Sequence, residues 1–135
     1  MVKLTLNEIQ KAIENSWSKE TAYFDFLWCK NNNSKSSGQC QVTALLVQEL
    51  LGGDILYSHV VGNEDFDHYW NKIGEVEIDL TSKQFRKETK FVKPTILSRE
   101  KIIKNDKRVL ETYKILKENY LKNISKQKKK EGLFS

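Results

Sequence analysis

Apolar residues recur every three or four positions at the start of the chain, at Leu6, Ile9, Ala12, Ile13 and Trp17. This spacing places them on one face of a helix. Thr5 and Glu8 have the spacing of a capping box, and Leu4 with Ile9 has the spacing of the hydrophobic staple that flanks such a cap. The pattern predicts an amphipathic helix over about residues 6–16.

A second segment, SSGQCQVTALLVQELLGG at residues 36–53, is apolar around most of a helical circumference. Ser36 or Ser37 can cap its beginning, and Gly52-Gly53 can end it. A helix that is apolar on nearly all sides is buried among other elements. The segment therefore predicts a central helix with Cys40 close to its beginning.

Three strand-like segments follow: DILYSHV at 54–60, FDHYWNKI at 66–73 and EVEIDLT at 75–81. The third alternates acidic and apolar residues, as a half-buried strand does. Gly74 separates the second segment from the third, and this predicts a hairpin. The central helix is therefore expected to pack on a small antiparallel sheet.

A polar connection leads to Pro94, after which Ser98 can cap a long helix that Asn105-Asp106 can interrupt. Its apolar stripe consists of Ile102, Val109, Tyr113, Leu116, Tyr120 and Ile124. The order of these elements along the chain is helices, then antiparallel strands, then a helix. This order predicts one α+β domain over residues 1–125. Residues 126–135 lack sustained apolar periodicity and are expected to form a basic, mobile tail.

The chain has 135 residues, of which 39% are hydrophobic, and this is enough for the core of one domain. Its first residues lack the apolar stretch of a signal peptide, and its longest apolar runs are too short to span a bilayer. A cytoplasmic protein without a membrane partner is expected. In that reducing compartment, Cys29 and Cys40 are expected to be free thiols.

The net charge of +5 comes from one part of the chain. Residues 99–130 contain 12 lysines and arginines but only four acidic residues. The lysines near the C-terminus have no aromatic residues between them on which nucleic-acid bases could stack. A solvated basic surface is therefore the main interpretation, with tail-driven nucleic-acid binding as the less favoured alternative.

Cys40 has the position of a reactive thiol. A thiol at a helix N-terminus faces the positive end of the helix dipole and free N–H groups, and both favour the thiolate. A cysteine nucleophile also needs a base, and the two histidines of the sequence are His59 and His68.

His68 lies in the second predicted strand and Asp79 in the third. If Lys72 pairs with Glu75 in the hairpin, the side chains of His68 and Asp79 are directly opposite each other, with Cβ atoms about 5 Å apart. A register shifted by one residue would place them on opposite faces.

A second register is also compatible with the hairpin. Pairing of Ile73 with Val76 places Thr81 opposite His68 and makes Asp79 its diagonal neighbour on the same face. In both registers the aspartate can orient the imidazole and stabilise its protonated form. The chain order Cys40, His68, Asp79 then predicts a Cys-His-Asp set.

Each member of this set also has a purely structural interpretation. Cys40 could be a small core residue, His68 a histidine packed in the core, and Asp79 a polar residue on the solvent side of a strand. Cys29, next to Trp28, is expected to pack in the core, and His59 is expected to be an ordinary strand residue. The two cysteines and two histidines lack the short spacings of a zinc site. No metal and no cofactor are expected.

The segments SWSKETAY, SSGQCQVTALLVQELLGGDIL and HYWNKIGEVEIDLTSKQF resemble those of the YunG-like family of small bacterial proteins. The similarity covers roughly residues 9–120, and its most specific parts are Gly-Gln-Cys and Asp-Leu-Thr-Ser-x-Gln-Phe. This family is similar in layout to the papain-like and transglutaminase-like superfamily. There, a cysteine opens a helix, a histidine lies in a following strand, and an aspartate lies in the next strand.

The resemblance implies a papain-like or transglutaminase-like core, with Cys40 as nucleophile, His68 as base and Asp79 as the orienting carboxylate. Such enzymes also need donors for an oxyanion, and the Cys40 backbone N–H is suited to be the first. Papain-type proteases place a glutamine several residues before the cysteine, whereas Gln39 is adjacent to it here. Gln39, Trp28 and Gln84 are the candidates for the second donor.

Two function classes follow. The first is a cysteine-dependent hydrolase or transferase acting on an amide-bearing or acyl-bearing substrate, such as a peptide or protein. The second is a binding or structural module on a papain-like frame without turnover, because a fold does not specify its activity. Arg99, Lys101 and Arg108 could favour an acidic substrate, although solvated helix charges are their simpler role.

Overall fold

A computed structural model of the chain describes residues 5–22, 38–82 and 89–132. Within these ranges the fold is α+β, with four helices and one four-stranded antiparallel sheet. The helices are α1 (Leu6–Glu14), α2 (Cys40–Leu51), α3 (Arg99–Asn105) and α4 (Lys107–Gly132). The strands are β1 (Asp54–Val60), β2 (Asn63–Ile73), β3 (Val76–Ile78) and β4 (Thr95–Leu97).

The predicted cap of the first helix is confirmed. Thr5 Oγ1 accepts a hydrogen bond from the Glu8 backbone N–H at 3.1 Å. Helix α1 ends two residues earlier than predicted, because the backbone tightens into a turn in which the Ser16 N–H donates to the Ile13 carbonyl. Leu4, the predicted staple residue, lies outside the described residues.

Helix α2 is central and buried, as predicted, with all side chains from Gln41 to Val47 buried. The predicted cap by Ser36 or Ser37 is wrong, since the helix begins at Cys40 with Gln39 as its N-cap. Gly38 has a φ of +74°, and this left-handed conformation cannot belong to a right-handed helix. Gly52, with a φ of +79°, ends the helix as predicted.

The strands have the order β3-β2-β1-β4, and all neighbours are antiparallel. Strand β1 has the predicted bounds, and β2 begins three residues earlier than predicted. Strand β3 is shorter than predicted, because after Ile78 the backbone turns and the Thr81 N–H donates to the Asp79 side chain. The observed hairpin register pairs Ile73 with Val76, the second of the two alternatives.

Strand β4 was not predicted. It has three residues after a proline, pairs with β1 at the sheet edge, and is too short to show a clear period. Ser98 caps the next helix through its Oγ, which accepts from the Lys101 N–H at 3.2 Å. Asp106 interrupts the helix in an extended conformation, with φ −138° and ψ 101°.

The long helix α4 continues to Gly132, so the backbone of residues 126–132 is helical. The domain boundary near residue 125 and the mobility of the tail remain predictions. Among the helices of the described residues, none combines the length and the apolarity needed to cross a bilayer.

The core lies around α2, which contacts both the sheet and α4. Its members come from α1, α2, β1, α3 and α4, and the most buried include Ile13, Leu45, Leu46, Ile55, Ile102 and Leu116. The buried Asn71 side chain of β2 donates to the Ala44 carbonyl of α2 at 3.0 Å. This bond fixes the central helix against the strand that contains His68.

Candidate active site

Cys40 is the first residue of α2, and its thiol is free and half-buried. The first backbone bond of the helix joins the Thr43 N–H to the Gln39 carbonyl at 3.0 Å. The side chain of the N-cap residue, Gln39, forms no hydrogen bond with the N–H groups of the first turn. Because these N–H groups carry the positive end of the helix dipole, the cysteine lies where negative charge is favoured.

His68 projects from β2 and is almost completely buried, with 1% of its surface exposed. Its Nε2 lies 2.6 Å from Asp79 Oδ2, a distance typical of a charge-assisted hydrogen bond. The second hairpin register explains this contact, since Asp79 is then the diagonal neighbour of His68. The predicted proximity of these two residues is confirmed.

Local bonds hold the Asp79 carboxylate in place. Its Oδ1 accepts from the Thr81 backbone N–H at 3.2 Å and from the Thr81 Oγ1 at 3.3 Å. Thr81 is itself buried, with 1% of its surface exposed. One carboxylate oxygen is therefore bound by its own turn, and the other is directed at the imidazole.

The Cys40 side chain also lies close enough to His68 to affect the pKa of the imidazole. Burial by itself lowers the pKa of His68, because it penalises the imidazolium. The hydrogen bonds to Asp79 and Cys40 and the attraction of their negative charges outweigh burial and raise the pKa of His68 to about 9. The imidazole that lies between Cys40 and Asp79 is therefore protonated at neutral pH.

Two aromatic rings pack on this imidazole. The Trp70 and Phe91 centroids lie 5.2 Å and 5.1 Å from the His68 centroid, in nearly parallel planes. The Trp70 indole N–H donates to Glu77 Oε1 at 2.6 Å, and this bond fixes the ring. The sequence did not indicate Phe91, because it stands alone in an irregular segment and reaches the site through an isolated bridge to Val60.

Gln39 is completely buried next to Cys40, and its amide binds the turn that follows α1. Its Oε1 accepts from Thr21 Oγ1 at 2.6 Å, and its Nε2 donates to the Ser18 carbonyl at 2.9 Å. The Nε2 group carries a second proton, so the proposed oxyanion role of Gln39 remains a prediction. Trp28 and Gln84 lie outside the described residues.

The remaining candidates lie apart from this cluster or outside the described chain. His59 is a β1 residue paired with Asp67, as the strand pattern predicted, and Cys29 is outside the described residues. Arg99 packs on the Tyr113 ring and donates to the Leu45 carbonyl at 3.3 Å. These contacts hold the Arg99 side chain against α2 and α4, and its attraction of an acidic substrate remains a prediction.

In the described part of the chain, no group of three or more His, Cys, Asp or Glu side chains is arranged to hold a metal ion. The absence of a metal or cofactor requirement remains a prediction from the sequence. The chemistry that the described site can support is that of a thiol, an imidazole and a carboxylate.

The family described as "YunG protein" matches residues 5–125. The Bacillus subtilis (strain 168) "Uncharacterized protein YunG" is 38% identical over 65 residues, which cover 44% of this chain and 54% of that relative. The alignment thus spans about half the length of the relative, and no solved structure matches the chain. The chain belongs to the YunG family.

Proposed function

We propose that this member of the YunG family is a cysteine-dependent enzyme that acts on an amide or a related acyl group. The observation that supports this proposal best is the position of His68, which contacts both Cys40 and Asp79 while almost completely buried. A nucleophile, a base and an orienting carboxylate in contact are the parts that covalent acyl transfer needs.

In the proposed reaction, the His68 imidazole holds the proton that the Cys40 thiol has given up, so that the reacting pair is a thiolate and an imidazolium. Because Nε2 is bound by Asp79, Nδ1 is the nitrogen that accepts this proton. The thiolate attacks the substrate carbonyl carbon and forms a C–S bond. The backbone N–H of Cys40, the first residue of α2, donates to the oxyanion.

The tetrahedral intermediate then collapses. The C–N bond of the amide breaks, and the leaving amine takes the proton of the imidazolium. The acyl thioester that remains is attacked by water or by a second amine, and His68 removes the proton of that nucleophile. The product leaves as an acid or a new amide, and the thiol is regenerated.

The order of elements supports an extension of the proposal to the fold. A helix that begins with the cysteine precedes the strand of the histidine, and the carboxylate follows the next strand of the same antiparallel sheet. This is the layout of papain-like and transglutaminase-like enzymes. We therefore propose that the fold is related to that of papain-like and transglutaminase-like enzymes. We also propose that the substrate is a peptide or protein and that the enzyme is cytoplasmic.

Alkylation by iodoacetamide tests the proposal, with labelling at Cys40 and Cys29 measured separately by mass spectrometry. A thiol with the reference pKa of about 8.5 is only about 1% ionised at pH 6.5. We expect Cys40 to react at this pH, and we expect His68→Ala to slow it by about 10- to 100-fold. His59→Ala is the matched control, because His59 lies outside the cluster.

An equal rate in the wild type and His68→Ala, rising only above about pH 8, would contradict the enzyme proposal. The binding or structural module would then be the better interpretation. Circular dichroism of each variant confirms that the fold is retained, so that a lost rate reports the imidazole and not unfolding.

A further inference from the structure

The imidazole of His68 belongs to a cluster of three rings, together with Trp70 and Phe91. The Trp70 and Phe91 centroids lie 5.2 Å and 5.1 Å from that of His68, and 6.1 Å from each other. All three distances are typical of aromatic rings in contact. The planes of Trp70 and Phe91 are tilted by only 20° and 24° from the plane of the imidazole, so both rings stack on it.

The position of the Phe91 ring is fixed by strand β1. The Val92 backbone N–H donates to the His59 carbonyl at 3.0 Å, and the Ser58 hydroxyl donates to the Val92 carbonyl at 2.6 Å. Ser58 is the β1 residue that pairs with His68, and it is buried, with 1% of its surface exposed. These bonds hold the segment that contains Phe91 directly beside the imidazole.

The contacts of His68 in the plane of its ring differ in kind from those on its face. In the plane, Nε2 lies 2.6 Å from Asp79 Oδ2. Among the titratable groups of the described residues, Asp79 and Cys40 are the two that raise the pKa of His68. Water contributes little, since 1% of His68 is exposed. A cation at such a place has lost its hydration, and an aromatic face within about 6 Å replaces part of that stabilisation.

Phe91 and Trp70 both offer such a face to His68. The face of an aromatic ring carries partial negative charge, so it attracts an imidazolium more strongly than a neutral imidazole. The Trp70 indole also donates a hydrogen bond to Glu77, whereas a phenyl ring has no hydrogen-bonding group. The electrons of the Phe91 ring can therefore be tested separately from hydrogen bonding.

We propose that Phe91 is a positioning residue of this enzyme, whose ring face stabilises the protonated form of His68 and fixes the plane of the imidazole. The inference rests on the proposed function, because that reaction uses the imidazolium as partner of the Cys40 thiolate and as the acid that protonates the leaving amine. The stacking of Phe91 on His68, held in place by Ser58, supports it best.

Fluorination of the Phe91 ring tests the inference on the intact chain. Mono-, di- and trifluorinated phenylalanine keep the shape of the ring nearly unchanged, while fluorine withdraws electron density from its face. The pKa of His68 is measured for each protein by NMR of the imidazole C–H groups, and His59→Gln identifies which signals belong to His68. We expect this pKa to fall stepwise from about 9 to about 8 across the series. The same pKa in all of these proteins would overturn the inference, because packing alone does not depend on the electrons of the ring.

Phe91→Leu and Phe91→Tyr provide a second measurement. Leucine is apolar but has no ring, so the pKa of His68 should fall, whereas tyrosine retains the ring face and should keep this pKa at about 9. Tyr57→Leu is the matched control, because Tyr57 precedes Ser58 in β1 and so lies on the sheet face opposite His68. An equal fall in Tyr57→Leu and Phe91→Leu would also overturn the inference.

Iodoacetamide labelling of the same proteins separates the two proposals. A Cys40 rate that does not depend on His68 would contradict the enzyme, even if the Phe91 ring stabilises the imidazolium. A reactive, His68-dependent Cys40 together with a His68 pKa that fluorination leaves unchanged would retain the enzyme and exclude the role of Phe91.

Discussion

The two ends of α2 carry polar clusters that differ in burial. At the N-terminal end, Cys40 and Asp79 flank His68, of which 1% is exposed. Towards the C-terminal end, Glu49 accepts hydrogen bonds from the Tyr113 hydroxyl and from Lys117 Nζ, the latter at 2.9 Å. More than a third of the Glu49 and Lys117 side chains is exposed.

Burial changes what these contacts do. At the exposed end, the hydrogen bond from Tyr113 and the contact with Lys117 lower the pKa of Glu49, which would be ionised at neutral pH without them. At the buried end, the contacts raise the pKa of His68 from 6.5 to about 9, so that the imidazole is protonated at neutral pH instead of mostly neutral. The exposed cluster joins two helices, whereas the buried one determines a protonation state.

The largest expected effect is the pH dependence of stability at the buried end. A histidine whose pKa rises from 6.5 to about 9 on folding contributes about 3 kcal/mol to the free energy of unfolding. This contribution is complete below about pH 6.5 and is lost as the pH rises through about 9. Urea unfolding between pH 6 and about 10 measures it.

Asp79→Asn is the variant for this measurement, since it removes the carboxylate and keeps the shape of the side chain. It should lose most of the difference in stability between pH 6.5 and 9, as should His68→Gln. If the free energy of unfolding depended on pH in the same way in the wild type and in Asp79→Asn, the Asp79 carboxylate would not be the group that raises the pKa of His68.

An intermediate effect is expected at Gln39, which fixes the N-terminal end of α2 from the other side. Gln39→Leu removes the bonds to Thr21 and Ser18 and should cost about 1–3 kcal/mol of unfolding free energy, because Thr21 is completely buried. Gln10→Leu, at a partly exposed bond to Glu14, is the control and should cost under about 0.5 kcal/mol. If both variants lost the same unfolding free energy, the buried bonds of Gln39 would stabilise the protein no more than the partly exposed bond of Gln10.

The smallest effect is expected at the exposed end of α2. A double-mutant cycle with Glu49→Gln and Lys117→Met should give a coupling of about 0.2–1 kcal/mol, because solvent screens this pair. Raising the salt concentration to about 1 M should reduce it. A coupling above about 2 kcal/mol would show that exposure does not distinguish the two ends of the helix.

The sequence predicted those features that depend on neighbouring residues. The cap at Thr5 and the helix end at Gly52 are confirmed, because a cap and a positive φ act within one turn. The bounds of β1 are confirmed too. The hairpin pattern reduced the possible positions of Asp79 to two registers, both of which bring it to His68.

Features with weak local signals were missed or misplaced. Strand β4 has only three residues and exists because the edge of β1 offers it a partner. The serines before α2 are good capping residues, but Gly38 interrupts the backbone after them and Gln39 takes the cap position. The contact of the Gln39 amide with the Ser18–Thr21 turn joins residues about 20 positions apart, and no local pattern indicated it.

Interactions between residues close in sequence determine the helices and the turns. They also determine the pairing of His68 with Asp79 across a short hairpin. The proximity of Cys40 to His68 and the burial of Gln39 depend on how α2 packs against β2 and against the turn after α1. These contacts join residues far apart in the chain. Their geometry depends on the packing of the whole core, which no local pattern of residues encodes.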